Sequence, residues 1–305
     1  MLPYFPFQHK SYQMTMGVQA LDPRLLIEID EEQYQSELAL KNLLLTEEPA
    51  HYFYEQPEME ESQWEVVEIL LPILAERYPQ HFQLERAGTD WHWRNHLQQQ
   101  EWSFCLGAGR DLELAPLDWL GRQVQEDLLL VSGIVENGLP LLGGQLCFPN
   151  GWSLAEKVGQ PFLTIHETVP LFAEKLGRSS QLLLERLKPE RPVWRLNWAL
   201  KSLPRLNLLP QFYYELPASY EGLTSENAGE RIFFRVERQV LVRLPRTGQI
   251  LFLIHTYQTK VQELIANPER MHLLRGVLQT LPAEVITYKG IDPFYDQILK
   301  YLDMQ

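Results

Sequence analysis

The chain has 305 residues, with 27 basic and 40 acidic side chains, a net charge of −13, and 45% apolar and 11% aromatic residues. That composition supports a packed core and excludes a disordered chain, which would be poor in aromatic and branched aliphatic residues. An acidic balance is a poor match for a phosphate backbone, so nucleic acid is not an expected partner.

The first stretch reads mostly helical. Asp30, Glu31 and Glu32 supply an N-cap and an acidic first turn for a helix running to Leu45. Ser62 and Glu65 fit a capping box ahead of Val66, Val67, Leu70 and Leu74, with Pro72 as a kink. Then the period changes. Gln125–Val131 and Leu141–Phe148 are short apolar segments joined through Asn137-Gly138, and they predict a β-hairpin. Helical character returns in Ser153–Val158 and Pro170–Leu187, the second with Phe172, Leu176, Leu183 and Leu187 on one face. Pro192–Leu200, Arg231–Leu244 and Ile250–Tyr257 read as strands, the last two joined by the turn Pro245-Arg246-Thr247-Gly248. Lys260–Leu281 and Pro293–Leu302 read as closing helices.

This order predicts an α+β fold. Its centre is a PAS-like five-stranded antiparallel sheet from Gln125 to Tyr257, with a helical crossover between the second and third strands. N- and C-terminal helices wrap it. The corresponding division is a mainly helical extension over 1–120, a core over 121–258 and C-terminal helices over 259–305.

No apolar stretch approaches the ~20 residues of a membrane span. The opening MLPYFPFQHK lacks the long apolar segment of a secretory signal, so a cytoplasmic location is expected. Cys105 and Cys147 lie far apart, which argues against a disulfide framework, a cysteine zinc site or an iron–sulfur cluster within this chain. The glycine-rich fingerprints of nucleotide sites and the Gly-x-Ser-x-Gly elbow do not occur.

Five histidine and arginine positions invite chemistry. His166 lies in the crossover, between Phe162 and Pro170, where a neutral imidazole can ligate a haem iron. Spacing alone fits a core or capping histidine better. Strand alternation puts Arg238 on one face with Ile232, Phe234, Val236, Val240 and Val242. An arginine there needs an anionic partner, either a ligand or a carboxylate such as Glu126 or Asp127. His255 shares a face with Leu251, Leu253 and Tyr257. His92 and His96 are four apart, a spacing that chelates a metal on a helix, but no third ligand stands nearby and a surface pair is the plainer reading.

Several segments, taken together, resemble the alpha subunit of haem-dependent oxidative N-demethylase and its relatives. They are Met16-Gly17 through Asp22-Pro23, Val124 to Leu128, Leu146 to Pro149 with Trp152 to Lys157, and Ile165 to Pro170. Arg191 to Trp198, Arg235 to Gln239 with Leu244 to Gly248, Ile254 to Tyr257, and Tyr288-Lys289-Gly290 continue the match. The resemblance implies a PAS-type domain binding haem b, with His166 as ligand to the haem iron. It makes Arg238 and His255 the catalytic candidates, Arg238 by analogy with haem sensors that set an arginine over the bound gas. It makes Trp194, Asn197, Arg235, Glu237, Gln239 and Tyr257 cofactor-binding candidates. The implied reaction is oxygen-dependent oxidation of a small methylated amine, dimethylamine in the characterised member. Electrons from NADPH would arrive through FMN and a [2Fe–2S] cluster on separate subunits, and a tetrahydrofolate-dependent partner would accept the one-carbon product. Self-association is left open. Two other readings stand beside this one: a haem-based gas or redox sensor, and a PAS-like ligand-binding module without haem.

Overall fold

The computed structural model describes residues 2–108 and 111–305. Strands β1 (Gln19–Ala20), β2 (Phe53–Tyr54), β6 (Asp127–Val131), β7 (Leu141–Gln145), β8 (Val193–Lys201), β9 (Phe233–Arg243) and β10 (Ile250–Lys260) form a seven-stranded sheet. Its order is β1-β8-β9-β10-β6-β7-β2, and every neighbouring pair is antiparallel. Strands β3 (Phe82–Ala87), β4 (Asp90–Asn95) and β5 (Gln100–Cys105) form a separate three-stranded meander.

The α+β class agrees with the sequence reading, and the five expected strands are the five in the middle of the large sheet. Two two-residue strands from the N-terminal region extend its edges, so the sheet has seven strands rather than five. Among β6 to β10 the order in space is second, first, fifth, fourth, third. Between the second and third of these run the short helices Leu154–Lys157 and Phe162–Ile165, a π-helical turn Ala173–Gly177 and the helix Arg178–Arg186.

The N-terminal region is less helical than its sequence predicts. The meander occupies 82–105, where Trp91, Trp93 and Phe104 turn inward against Trp64 and Trp119. His92 is therefore a strand residue, with Nδ1 2.8 Å from Ser103 Oγ, and His96 lies beyond the strand end, so the two share no helix face. Among the described residues no group of three or more His, Cys, Asp or Glu gathers around a common centre. The helix expected from Asp30 spans Tyr34–Glu47, and the one expected from Ser62 spans Glu60–Arg77 with Ser62 inside it. Lys260–Leu281 divides into Val261–Leu264 and Pro268–Gln279, because Asn267 caps a new helix and Pro268 starts it. A further helix, Ala283–Lys289, precedes the last one at Tyr295–Asp303.

Gly143 and Gly144 are part of β7, not its border. At Gly143 a side chain would meet Tyr54 O of β2, and at Gly144 it would meet Leu128 O of β6, and both have positive φ. Only glycine lets the two neighbouring strands close in at this point.

Register fixes which residues share a face. Leu196, Arg238 and His255 stand opposite one another across β8, β9 and β10, as do Arg195, Gln239 and Ile254 on the other face. The Arg238 face is covered twice. The Glu60–Arg77 helix and the meander bury Leu128, Leu130, Val240, Val242, Leu251 and Leu253, and the C-terminal helices bury Trp198, Phe234, Val236 and Tyr257. The other face looks toward the crossover helices. Leu129, Leu141 and Ile254 pack there against Leu154, and Ile250 packs against Leu184 and Leu187.

Candidate functional site

Between the crossover and the second sheet face lies a cavity of about 1140 Å³. That is at or above the ~300–1,000 Å³ usual for a drug-sized ligand. Leu129, Ile254 and Phe252 form an apolar part of its floor, and Asn197, Glu237 and Gln239 a polar part. The crossover supplies His166, Phe162 and Phe172 from above, and residues 3–19 close the side along β8.

His166 ends the helix Phe162–Ile165. Its Nδ1 is 2.8 Å from the carbonyl oxygen of Phe162. A carbonyl only accepts, so Nδ1 carries the proton and Nε2 keeps its lone pair. The ring is held by stacking on Phe172 (centroids 4.7 Å) and by Phe162 (4.5 Å). Burial lowers its pKa, against the opposing hydrogen bond to Phe162, so the imidazole is neutral at physiological pH. A tautomer fixed through one nitrogen, with the other left as a donor at a cavity wall, is the arrangement a metal-ligating histidine needs.

On the sheet floor Glu237 is buried. Its Oε2 accepts from Asn197 Nδ2 (3.2 Å) and Gln239 Nε2 (3.0 Å), and its Oε1 faces Arg235 Nε (3.4 Å). Arg235 is buried behind it and donates to the carbonyls of Leu206 and Phe148. Three more cations line the cavity near Glu237: Arg195, Lys201 and Lys289. Lys289 Nζ donates to Trp198 O at 2.8 Å and sits 4.2 Å from the centroid of the Trp198 ring. Burial and repulsion from Lys201 pull the Lys289 pKa down to about 7, against the attraction of Glu237. Burial and Arg235 bring Lys201 down to about 8.

Of the residues singled out in the sequence, His166, Asn197, Glu237 and Gln239 meet at this cavity, with Arg235 directly behind. Trp194 borders it from β8, but its ring belongs to the Arg238 face, 5.6 Å from the Tyr4 ring. Arg238, His255 and Tyr257 are on that opposite face. The expectation that Arg238 reaches into the cavity is thus corrected. Its guanidinium donates to the carbonyls of Leu25 and Leu26, and its Nε is 3.4 Å from Glu28. The buried ion pair weighed for it exists, with Glu28 rather than Glu126 or Asp127. Glu126 instead lies 3.4 Å from His255 Nδ1 and accepts from the Glu28 N–H. Burial alone would lower His255 and raise Glu126, but their mutual attraction and hydrogen bond outweigh it, so the His255 pKa is raised and the Glu126 pKa lowered, which favours the charged form of each. Tyr257 bridges His255 and Glu28 at 3.2 Å each.

The sequence reading passed over Arg195, Lys201 and Lys289. Arg195 and Lys201 alternate with the apolar face of β8, but alternation alone does not say whether their face meets solvent or a cavity. Lys289 reaches the cavity only through the tertiary packing of a C-terminal helix.

One comparison bears on this geometry. The family described as haem-dependent oxidative N-demethylase, alpha subunit-like, matches residues 17–299, which include every residue assigned to the cavity floor and to the crossover.

Proposed function

The chain belongs to the haem-dependent oxidative N-demethylase, alpha subunit-like family, and from that premise we propose that it binds haem in the cavity above β8–β10, with His166 Nε2 as ligand to the iron. The observation that carries this reading is the fixed tautomer of His166: Nδ1 is committed to Phe162 O, and Nε2 is left as a donor at a large, half-apolar cavity. The strand order of β6 to β10 and the helical crossover after β7 support a PAS-like core. When bound, haem supplies one-electron and oxygen chemistry that side chains lack.

The other residues would do three things. Leu129, Ile254, Phe162 and Phe172 exclude water from the haem faces. Glu237, held by Asn197 and Gln239, accepts a hydrogen bond from the protonated nitrogen of a small methylated amine and keeps its carboxylate oriented. Gln239 Oε1, which faces Arg195 Nη1 at 3.3 Å, is a second acceptor within the same floor. Electrons would come from a separate flavin and [2Fe–2S] reductase subunit, since Cys105 and Cys147 stand alone.

The test is spectroscopic first and kinetic second. The purified chain titrated with haemin should develop a Soret band, and His166→Ala should lose it while the far-ultraviolet circular dichroism is unchanged. With a chemical reductant and a secondary methylamine, the loaded chain should consume oxygen and release formaldehyde. An unaltered Soret band in His166→Ala refutes the ligand assignment. Oxygen uptake indifferent to any methylated amine refutes the enzyme and favours a sensor.

A further inference from the structure

The cavity carries more positive charge than its own carboxylates can match. Lys157, Arg195, Lys201 and Lys289 line it, and the acidic side chains among its described lining residues are Glu156 and Glu237. Glu156 is engaged in the capping box of its own helix, where it accepts from the Ser153 N–H. Glu237 is therefore left facing Arg195, Lys201, Lys289 and, from behind, Arg235. Cationic groups gathered at a cavity wall favour an anion, and the four lining cations outnumber the two lining carboxylates by two, in a protein whose net charge is −13. Arg195 Nε is buried and has no hydrogen-bond partner, and Lys201 Nζ has only a 3.5 Å contact with Lys289 O. An anion with paired oxygen acceptors is what these groups lack.

We propose that Arg195, Lys201 and Lys289 form a carboxylate-binding pole in this cavity and that it takes the two propionate carboxylates of a bound tetrapyrrole. This rests on the haem reading given above and adds to it the orientation of the ring: one edge at the β8 cations, the metal at His166. Two carboxylates neutralise the two excess charges and leave Glu237 to a cationic amine. The same chemistry would also fit the single carboxylate of an N-methylated amino acid, so the experiment separates the two sources.

The wild-type chain and the variant Lys201→Met/Lys289→Met are titrated with haemin and with haemin dimethyl ester, followed at the Soret band. Both are also titrated with N,N-dimethylglycine by calorimetry. With tetrapyrrole propionates at the pole, the double variant loses at least tenfold in haemin affinity and less than twofold for the ester. If the pole serves a substrate carboxylate, haemin affinity is unchanged and the heat of N,N-dimethylglycine binding disappears in the variant; that outcome keeps the pole and overturns its assignment to the tetrapyrrole. Unchanged binding of both refutes the pole altogether. A wild-type chain that gives no Soret band with either porphyrin refutes the haem reading. The calorimetric arm then decides the pole alone, and heat that is absent or equal in both chains overturns it. The ligand-free double variant should melt at the same temperature as wild type or higher, because it has lost uncompensated charge, whereas a purely structural role for the lysines would lower its melting temperature. Should the double variant fail to fold, Arg195→Gln is read by the same titrations, with the same outcomes for and against.

Discussion

On one face of the large sheet, Arg238 and His255 meet Glu28 and Glu126, with Tyr4 and Tyr257 donating into the same cluster. On the other, Arg195, Lys201, Lys289 and Arg235 meet Glu237. The first set closes charge for charge, although Glu126 Oε2 and His255 Nε2 are buried without a hydrogen-bond partner. Every charge has an opposite within 3.4 Å, the backbone carbonyls of Leu25 and Leu26 take up what is left of the guanidinium, and helices cover the whole. The second set does not close, and it borders a cavity. Burial of charge is therefore no guide by itself to where a ligand sits. The guide is whether an opposite charge of the protein already balances it.

The largest effect should come from the crossover. His166→Ala removes the crossover histidine whose unbonded ring nitrogen is left for a ligand at the cavity, and haem retention should fall by more than an order of magnitude at unchanged fold. Arg238→Leu sharpens the contrast from the other face. It leaves half-buried Glu28 beside Glu126 with only its hydrogen bonds from Tyr4 and Tyr257, and the loss should fall below the roughly 3–5 kcal/mol of breaking a fully buried pair. Urea unfolding should register that loss, while haemin affinity measured well below the midpoint stays within twofold. A variant that kept its stability and lost ligand binding would return Arg238 to the cavity and erase the distinction between the faces.

Much of this contrast was legible in the sequence, but not its direction. Strand alternation separated Arg238 from Arg235, Glu237 and Gln239 correctly, because the period of two is local. Which of the two faces looks at the crossover depends on where the N-terminal and C-terminal helices pack, and no local pattern carries that. The apolar neighbours of Arg238 resemble the wall of a pocket, yet they are a core. The meander at 82–105 escaped for a related reason. Its strands are short and carry Gln, Glu, Arg and His on the outer side, so no long apolar alternation announces them. His166 stood out through the family resemblance, because its flanking apolar residues and proline fit a core or capping histidine better, and its hydrogen bond to Phe162 O is a property of the folded turn.

A pH titration gives a smaller but more selective effect. Lys289 and Lys201 have folded-state pKa values of about 7 and about 8, below the ordinary lysine value of 10.5. Between those values and 10.5 the unfolded chain binds more protons than the folded one, so the ligand-free protein gains stability as pH rises from 7 toward 10. Carboxylate binding has the opposite slope, because it needs the charged form. Haemin affinity should fall on the order of tenfold for each lysine proton lost per pH unit, at most, between pH 7 and pH 9. Haemin dimethyl ester should show no such fall. Glu237, Arg195 and Arg235 face the same lysines and move the midpoints. A parallel decline for acid and ester would show that the fall does not come from the propionate carboxylates and would overturn their assignment to the lysines.

The smallest effect concerns how the closed face is anchored at its far end. Glu65 is buried in the Glu60–Arg77 helix, away from the capping position its sequence context predicts. Its carboxylate accepts from the N–H groups of Arg246 and Thr247 and from Thr247 Oγ1, at 2.5, 2.9 and 2.7 Å. These are the turn residues that join β9 to β10, so one side chain ties the covering helix to the tip of the hairpin on whose strands Arg238 and His255 lie. Hydrogen bonds to a charged acceptor contribute ~1.5–3 kcal/mol each, and removing the acceptor leaves two backbone donors with nothing in the protein to meet them. Because the turn can recover part of this from water, Glu65→Gln, which keeps one acceptor oxygen, should cost about 1–2 kcal/mol and Glu65→Ala somewhat more. Hydrogen exchange at the amides of Arg246 and Thr247 should rise before that of the central β9 and β10 amides. Haemin affinity should not change, since the turn belongs to the closed face. If Glu65→Ala altered haemin binding as much as it altered turn exchange, the two faces would be coupled through the hairpin rather than independent.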